Sequence, residues 1–150
     1  MSQPLRLGIA GLGTVCVGVV KIIRQQAALL KTRTGRDITI SAVSARTKDR
    51  DRGVSMAGYA WEDDPVALAT RDDVDVFVEL MGGADGPAKA ATEAAIAAGK
   101  HVITANKAML AMHGHPLALA AEAKGVSLRY EAAVAGGIPV IKALTEGLAG

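Results

Sequence analysis

The sequence predicts an α/β fold in which a doubly wound sheet of parallel strands carries helices on both faces. Three observations predict it. Short apolar runs alternate with stretches of helical periodicity, the order that parallel strands with right-handed crossover helices require. A Gly-x-Gly pair, Gly11 and Gly13, sits between the first apolar run and the first helical pattern. Alanine (29) and glycine (17) together make 46 of the 150 residues, against 3% aromatic residues. Side chains that small let helices lie close on a sheet and let loops approach a ligand.

Each element can be justified in turn. Residues 5–10 form a short apolar run that ends in Gly11-Leu12-Gly13, a buried strand and a tight turn. From residue 14 to about residue 31 apolar positions recur at helical spacing (Val15, Val19, Ile22, Ile23, Leu29, Leu30), so one long helix is expected. Residues 32–36 read as a polar break, residues 38–44 as a β-branched second strand, and residues 45–58 as a charged, irregular segment. Asp64 reads as the N-cap of a short helix with Pro65 at its first position. Residues 74–80 are the third strand; Gly82-Gly83 follow, and Pro87 opens an Ala-rich helix that Gly99 ends. Residues 101–104 are a very short fourth strand, 116–124 a helix closed by Gly125, and 126–131 the fifth strand. Pro139 starts a final helical pattern that runs to residue 150.

Composition excludes several functions. At about 150 residues per domain the length predicts one domain. A net charge of +2, with no basic run, excludes strong electrostatic capture of nucleic acid. Four aromatic residues are too few for the stacking platforms of a single-strand binder. One cysteine excludes a disulfide framework and a cysteine-based zinc site. No window approaches the roughly 18 apolar residues of a membrane span, and the apolar stretch in residues 1–10 is too short for a secretory signal. A soluble protein of a reducing, cytoplasmic compartment is expected.

The motifs fall where such a sheet places its functional loops, after the strands. Gly11 allows the sharp turn, Gly13 lets the backbone approach a pyrophosphate, and the following helix points its N-terminus at that charge. Position within a strand–turn–helix unit is what gives this glycine pair its weight; it makes the predicted sheet Rossmann-like. The third small position holds Cys16 where glycine or alanine is usual. A buried packing cysteine is expected there, the alternative being a thiol activated by the helix N-terminus.

A dinucleotide's ribose is read at the end of the second strand, where an NAD site wants an acid. Here the order is Ser44-Ala45-Arg46-Thr47-Lys48, with no acid before Asp49. Arg46 suits a 2′-phosphate, Lys48 and Arg50 add charge nearby, and NADP is expected with NAD tolerated. Lys107 ends the fourth strand; its ammonium group can hold a substrate oxygen, carry a proton or contact the cofactor, unless it is a surface lysine at a helix start. Glu131 precedes a glycine-bearing turn that offers a carboxylate and main-chain carbonyls, an oxygen set suited to a hard cation or simply a strand-to-helix turn.

Other residues read as structural. His101 is a structural or surface residue, His113 and His115 are loop histidines, Met109 and Met112 pack in the core, and Trp61 covers a core edge. Glu79, late in a buried strand, is expected to be hydrogen-bonded near the site, because an unpaired buried carboxylate is costly.

Taken together, GIAGLGTV (8–15), SAR (44–46), VDVFVELMGG (74–83), GKHVITANKAMLA (99–111) and YEAAVAGGIPVIKAL (130–144) closely resemble the homoserine dehydrogenase family. The resemblance implies NAD(P)-dependent interconversion of aspartate 4-semialdehyde and homoserine, in threonine, methionine and isoleucine synthesis. By motif, Gly11, Gly13, Thr14 and Val15 would contact the cofactor phosphates, and Arg46 the 2′-phosphate. Met81 and Gly82 would lie near the nicotinamide, and Lys107 would stand at the cofactor–substrate junction as the catalytic lysine. Glu131, Val134, Gly136 and Ile138 would hold a monovalent cation, sodium. The resemblance further implies residues 1–132 as the NAD(P)-binding domain. Residues 133–150 would then start the connection into a substrate-binding and dimerising domain. In the family that domain supplies the acids that grip the substrate's amino group, and a second lysine. These 150 residues alone would bind cofactor without useful turnover, in a protein that is a homo-oligomer when complete. The competing expectations are another amino-acid-pathway oxidoreductase and a free-standing NADP-binding module without chemistry.

Overall fold

Parallel pairing sets the architecture, and the computed structural model describes residues 3–148 of it. The last two residues of the expected final helical pattern lie outside that range. Strand β1 (Leu5–Ala10) pairs with β2 (Ile38–Ser44) on one side and β4 (Val76–Glu79) on the other. Strand β3 (Ala60–Glu62) extends the β2 edge; β5 (His101–Thr104) and then β6 (Leu128–Arg129) extend the β4 edge. The order among the described residues is β3-β2-β1-β4-β5-β6, every pair parallel. This is the doubly wound α/β sheet expected, with its switch point between β1 and β4.

Helices α1 (Thr14–Gln25) and α2 (Ala27–Thr34) follow β1; α3 (Pro65–Thr70), α4 (Pro87–Ala97) and α5 (Lys107–Ala123) follow β3, β4 and β5. Two short helices, α6 (Glu131–Val134) and α7 (Val140–Glu146), end the described chain. Two apolar clusters form. One joins Leu68, Phe77, Ala88, Ala91, Ala95, Met109 and Leu117, and so packs α3, α4 and α5 on the sheet. The other joins Ile9, Val43 and Val78 to Cys16 and Val20 of α1. Much of the first is alanine, so these helices seat closely. Gly8 does the same on β1, since a Cβ there would lie 2.9 Å from a Val74 methyl.

Several expected elements are corrected. The single helix from 14 to about 31 is two helices, because Gln26 leaves helical geometry (φ −111°, ψ 21°). The polar stretch after it is no break: α2 runs to Thr34, with Thr32 and Thr34 hydroxyls donating to the Ala28 and Leu30 carbonyls. Strand β3 was not expected; three residues are too few to show periodicity. The helix expected from Pro116 begins nine residues earlier, at Lys107, with Pro116 inside it. His113 and His115 are therefore helical, and Met112 is 69% exposed rather than in the core, while Met109 is fully buried. The last strand shrinks from 126–131 to Leu128–Arg129, and Glu131 opens α6 instead. Asp64 caps α3 as expected, its carboxylate accepting from Val66 N.

Away from the loops after the strands, guanidinium groups tie the chain together. Arg6 makes a two-pronged pair with Asp75, and Arg71 binds both Asp73 and Glu62. Arg6 holds the Asp75 carboxyl below its ordinary range, and Arg71 does the same to Asp73.

Candidate functional site

At the carboxyl ends of β1, β2 and β4 the chain leaves a cleft of about 890 Å³. It is lined by Gly11 and Gly13, by Arg46, Thr47, Arg50 and Arg52, and by Leu80, Met81 and Gly82. This is the crevice beside the switch point where open α/β sheets take ligands.

The two glycines of the first turn have different reasons. Gly11 has φ +94°, and a Cβ on it would fall 2.5 Å from the Leu80 carbonyl carbon and oxygen. Only glycine lets β1 turn this close to the end of β4. At Gly13 a Cβ would meet nothing within 4 Å, so no protein neighbour requires a glycine there. Gly13 also caps α1, with no side-chain bond and no acid in the first turn. The amides of Thr14 and Val15 begin a helix with no partner of their own, a ready anion site beside the cleft. Cys16 is fully buried behind them. Burial pushes its thiol up to about 11, and the nearby Arg52 charge lowers it less. It is a packing residue, as expected, because the thiolate is the reactive form.

The basic loop after β2 is sorted by its contacts. Lys48 Nζ lies 5.9 Å from the centre of the Trp61 ring, and Arg52 sits over the same ring. Lys48 is thus drawn to the aromatic ring, and the cleft lining includes Arg46 and Arg50 but not Lys48. The side chains of Arg46 and Arg50 make no hydrogen bond or ion pair among the described residues. Asp63 is the acid that lines the cleft, and its carboxylate accepts the Trp61 indole N–H at 2.7 Å.

The opposite wall is held from beneath by Glu79, which is fully buried. Its Oε1 accepts from Met81 N at 2.7 Å and Gly82 N at 3.2 Å, and Thr104 Oγ1 donates to its Oε2. Thr104 Oγ1 in turn accepts from Asn106 N at 3.0 Å. Asn106 caps α5 through Met109 N and donates its side-chain amide to the Gly83 carbonyl at 2.7 Å. One buried chain of bonds therefore joins the Met81–Gly83 loop to the start of α5. Glu79 was expected in such a role; Asn106 was missed, although an Asn before a helical run is a cap signal.

Lys107 is the first residue of α5 and is exposed. It does not line the cleft but follows Asn106, which is bonded to the cleft wall. The cleft thus gathers Gly11, Gly13, Arg46, Met81 and Gly82; Thr14 and Val15, which follow Gly13 in α1, do not line it. Glu131, Val134, Gly136 and Ile138 lie apart, beyond β6. There the two Glu131 oxygens accept from Ile141 N and Lys142 N at 3.0 and 2.9 Å, and the Ile138 carbonyl accepts from Val140 N. In this arrangement Glu131 caps the start of α7. Among the described residues no group of three or more His, Cys, Asp or Glu side chains is placed to hold a metal, and no helix is long and apolar enough to cross a membrane.

Comparison with known proteins agrees with this geometry. Residues 11–131 match the family model described as homoserine dehydrogenase, NAD binding domain. A homoserine dehydrogenase from Neisseria gonorrhoeae is 46% identical over 147 residues, covering 98% of this chain and 33% of that protein. One from Mycobacterium tuberculosis is 43% identical over 149 residues, covering 99% of this chain and 33% of that protein. The crystal structure of a homoserine dehydrogenase from Thiobacillus denitrificans superposes with a TM-score of 0.90 at 41% identity, over 98% of this chain and 34% of that one. The chain therefore spans about a third of the length of these relatives. The family match covers most of that third, the fold superposes closely, and the chain belongs to the homoserine dehydrogenase NAD-binding domain family.

Proposed function

We propose that this chain is the cofactor-binding part of an NADP-preferring homoserine dehydrogenase, interconverting L-aspartate 4-semialdehyde and L-homoserine for threonine, methionine and isoleucine synthesis. The observation that carries the cofactor choice is Arg46. Where an NAD site holds an acid against the ribose 2′-hydroxyl, this chain has an arginine that lines the cleft with its donors unpaired. A guanidinium fork matches a phosphate. Asp63, the acid lining the cleft, follows β3 rather than β2, and its Oδ1 accepts the Trp61 indole N–H.

In this reading Gly13, Thr14 and Val15 receive the pyrophosphate, and Met81 and Gly82 flank the nicotinamide. When bound, the reduced nicotinamide supplies the hydride that reaches the aldehyde carbon. Lys107 is the catalytic lysine, its ammonium group orienting the carbonyl oxygen and able to carry a proton. The bonds from Glu79 through Thr104 to Asn106 fix the wall beside it, a contribution of positioning.

Sodium at Glu131, Val134, Gly136 and Ile138 belongs to the same proposal. One carboxylate and main-chain oxygens suit a hard monovalent ion, which here competes with the α7 amides for Glu131. Ile138, Leu144 and Leu148 are 65%, 54% and 74% exposed, an apolar face that favours a partner domain over a free-standing module. The whole protein is proposed to be a cytoplasmic homo-oligomer. The test is titration with NADPH and NADH. Wild type binds NADPH more tightly, and Arg46→Ala weakens NADPH by about tenfold while leaving NADH unchanged. Equal weakening of both overturns the cofactor choice.

A further inference from the structure

The connection between β2 and β3 runs from residue 45 to 59 with no regular structure, yet it forms one wall of the cleft. Its shape rests on side chains that bind main-chain oxygens. Arg24 of α1 donates to the Ser55 carbonyl at 2.8 Å and packs 5.2 Å from the centre of the Tyr59 ring, which fastens the far half. The near half is fastened by Arg52. Its Nη1 donates to the Lys48 carbonyl at 3.1 Å and the Arg50 carbonyl at 2.7 Å, and its Nη2 donates to the Thr47 carbonyl. Its Nε donates to the Leu12 carbonyl of the glycine turn at 3.3 Å.

A guanidinium has five N–H donors, and those four bonds use four of them. Arg52 therefore lines the cleft with nearly all its hydrogen-bonding capacity directed into the protein. Arg46 and Arg50 are the reverse case, with donors unpaired. Drawing three carbonyl oxygens of one short loop onto a single cation also removes them from the space an anion would enter, where they would repel it. The fourth bond ties that loop to the turn that receives the pyrophosphate.

We infer that Arg52 is the positioning residue for dinucleotide selectivity, a strut that sets the 46–50 loop against the glycine turn so that Arg46 and Arg50 meet a 2′-phosphate. The inference rests on the proposed preference for NADP. A lysine cannot replace the strut, because one ammonium group lacks the planar fork that reaches several carbonyls at once.

Two measurements on the 150-residue chain test it. The first is the ratio of NADPH to NADH dissociation constants. Arg52→Gln and Arg52→Lys are expected to weaken NADPH by about tenfold and to leave NADH within about twofold. The second is trypsin cleavage after Arg46, Lys48 and Arg50 with no cofactor present. It is expected to speed up severalfold in both Arg52 variants, whereas in Arg46→Ala, which lacks the first site, cleavage after Lys48 and Arg50 is expected to stay at the wild-type rate. A strut predicts that contrast, whereas a direct phosphate contact predicts no change in the empty protein. If wild type prefers NADPH while the Arg52 variants keep both the ratio and the protease resistance, the inference fails and the cofactor reading stands. If wild type binds both dinucleotides equally, the cofactor reading fails, and the selectivity role of Arg52 with it. Equal weakening of both cofactors in the variants, with a lowered melting temperature, also overturns the inference by showing a general structural role.

Discussion

Glu79 ends β4 and Glu131 stands two residues past β6, and each accepts hydrogen bonds from two main-chain amides. The donors to Glu79 are two and three residues on, at Met81 and Gly82, with the Thr104 hydroxyl added from β5. The donors to Glu131 are ten and eleven residues on, at Ile141 and Lys142. Glu79 is fully buried, whereas Glu131 keeps contact with solvent. Water cannot replace a lost partner at Glu79, so the carboxylate and its three donors hold one another in place. At Glu131 water or a cation can stand in for the α7 amides. The same chemistry thus gives a fixed wall in the cleft and an exchangeable cap outside it.

The largest test of this contrast is Glu79→Ala. It leaves two amides and a hydroxyl without an acceptor in a dry site, and a loss of about 4 kcal/mol is expected, read from urea unfolding. A loss below about 1 kcal/mol would put Glu79 in the same class as Glu131. Glu131→Ala is expected to cost about 1 kcal/mol or less, with faster amide exchange confined to α7. If the proposed cation is right, sodium speeds α7 exchange in wild type and has no effect in the variant.

The smallest effect belongs to a third arrangement, carboxylates on guanidinium groups. Asp73 and Asp75 sit below their ordinary range because Arg71 and Arg6 bind them. Their contribution is full above the unfolded value of about 3.9 and is lost as pH falls through the lower folded value. Stability measured by urea midpoint should hold down to about pH 4 and decline below it, more gently in Asp75→Asn. Both side chains are more than a third exposed, at 34% for Asp75 and 43% for Asp73, so solvent keeps the effect small.

Local chemistry made much of this legible. Asp64-Pro65 and Pro87 work through neighbours a few residues away, and the sequence shows those neighbours; the Gly11-Leu12-Gly13 turn was legible from its place between a strand and a helix, although Leu80 is what crowds Gly11. Glu79 was legible because a late acid in an apolar run must find donors. What stayed hidden depends on distant parts of the chain. Pro116 looks like a helix start, yet α5 runs through it because Asn106 caps the helix ten residues before. The three-residue β3 exists only because β2 supplies its ladder. Among the basic residues after β2, Arg46 could be picked by its position. That Lys48 goes to Trp61 depends on a ring thirteen residues on, and that Arg52 gathers three carbonyls of its own loop and the distant Leu12 carbonyl depends on how the loop folds back on the glycine turn.

Gly13 carries a cost that the folded protein has no use for. Its backbone (φ −87°, ψ −164°) is open to any residue, and the space beside it is empty. An alanine there would narrow the unfolded ensemble and raise stability by about 0.4–1 kcal/mol. Selection for folding alone would therefore remove this glycine, while Gly11 would survive it. The second glycine of the turn is better read as conformational entropy held in reserve for a guest whose surface needs the missing methyl's room.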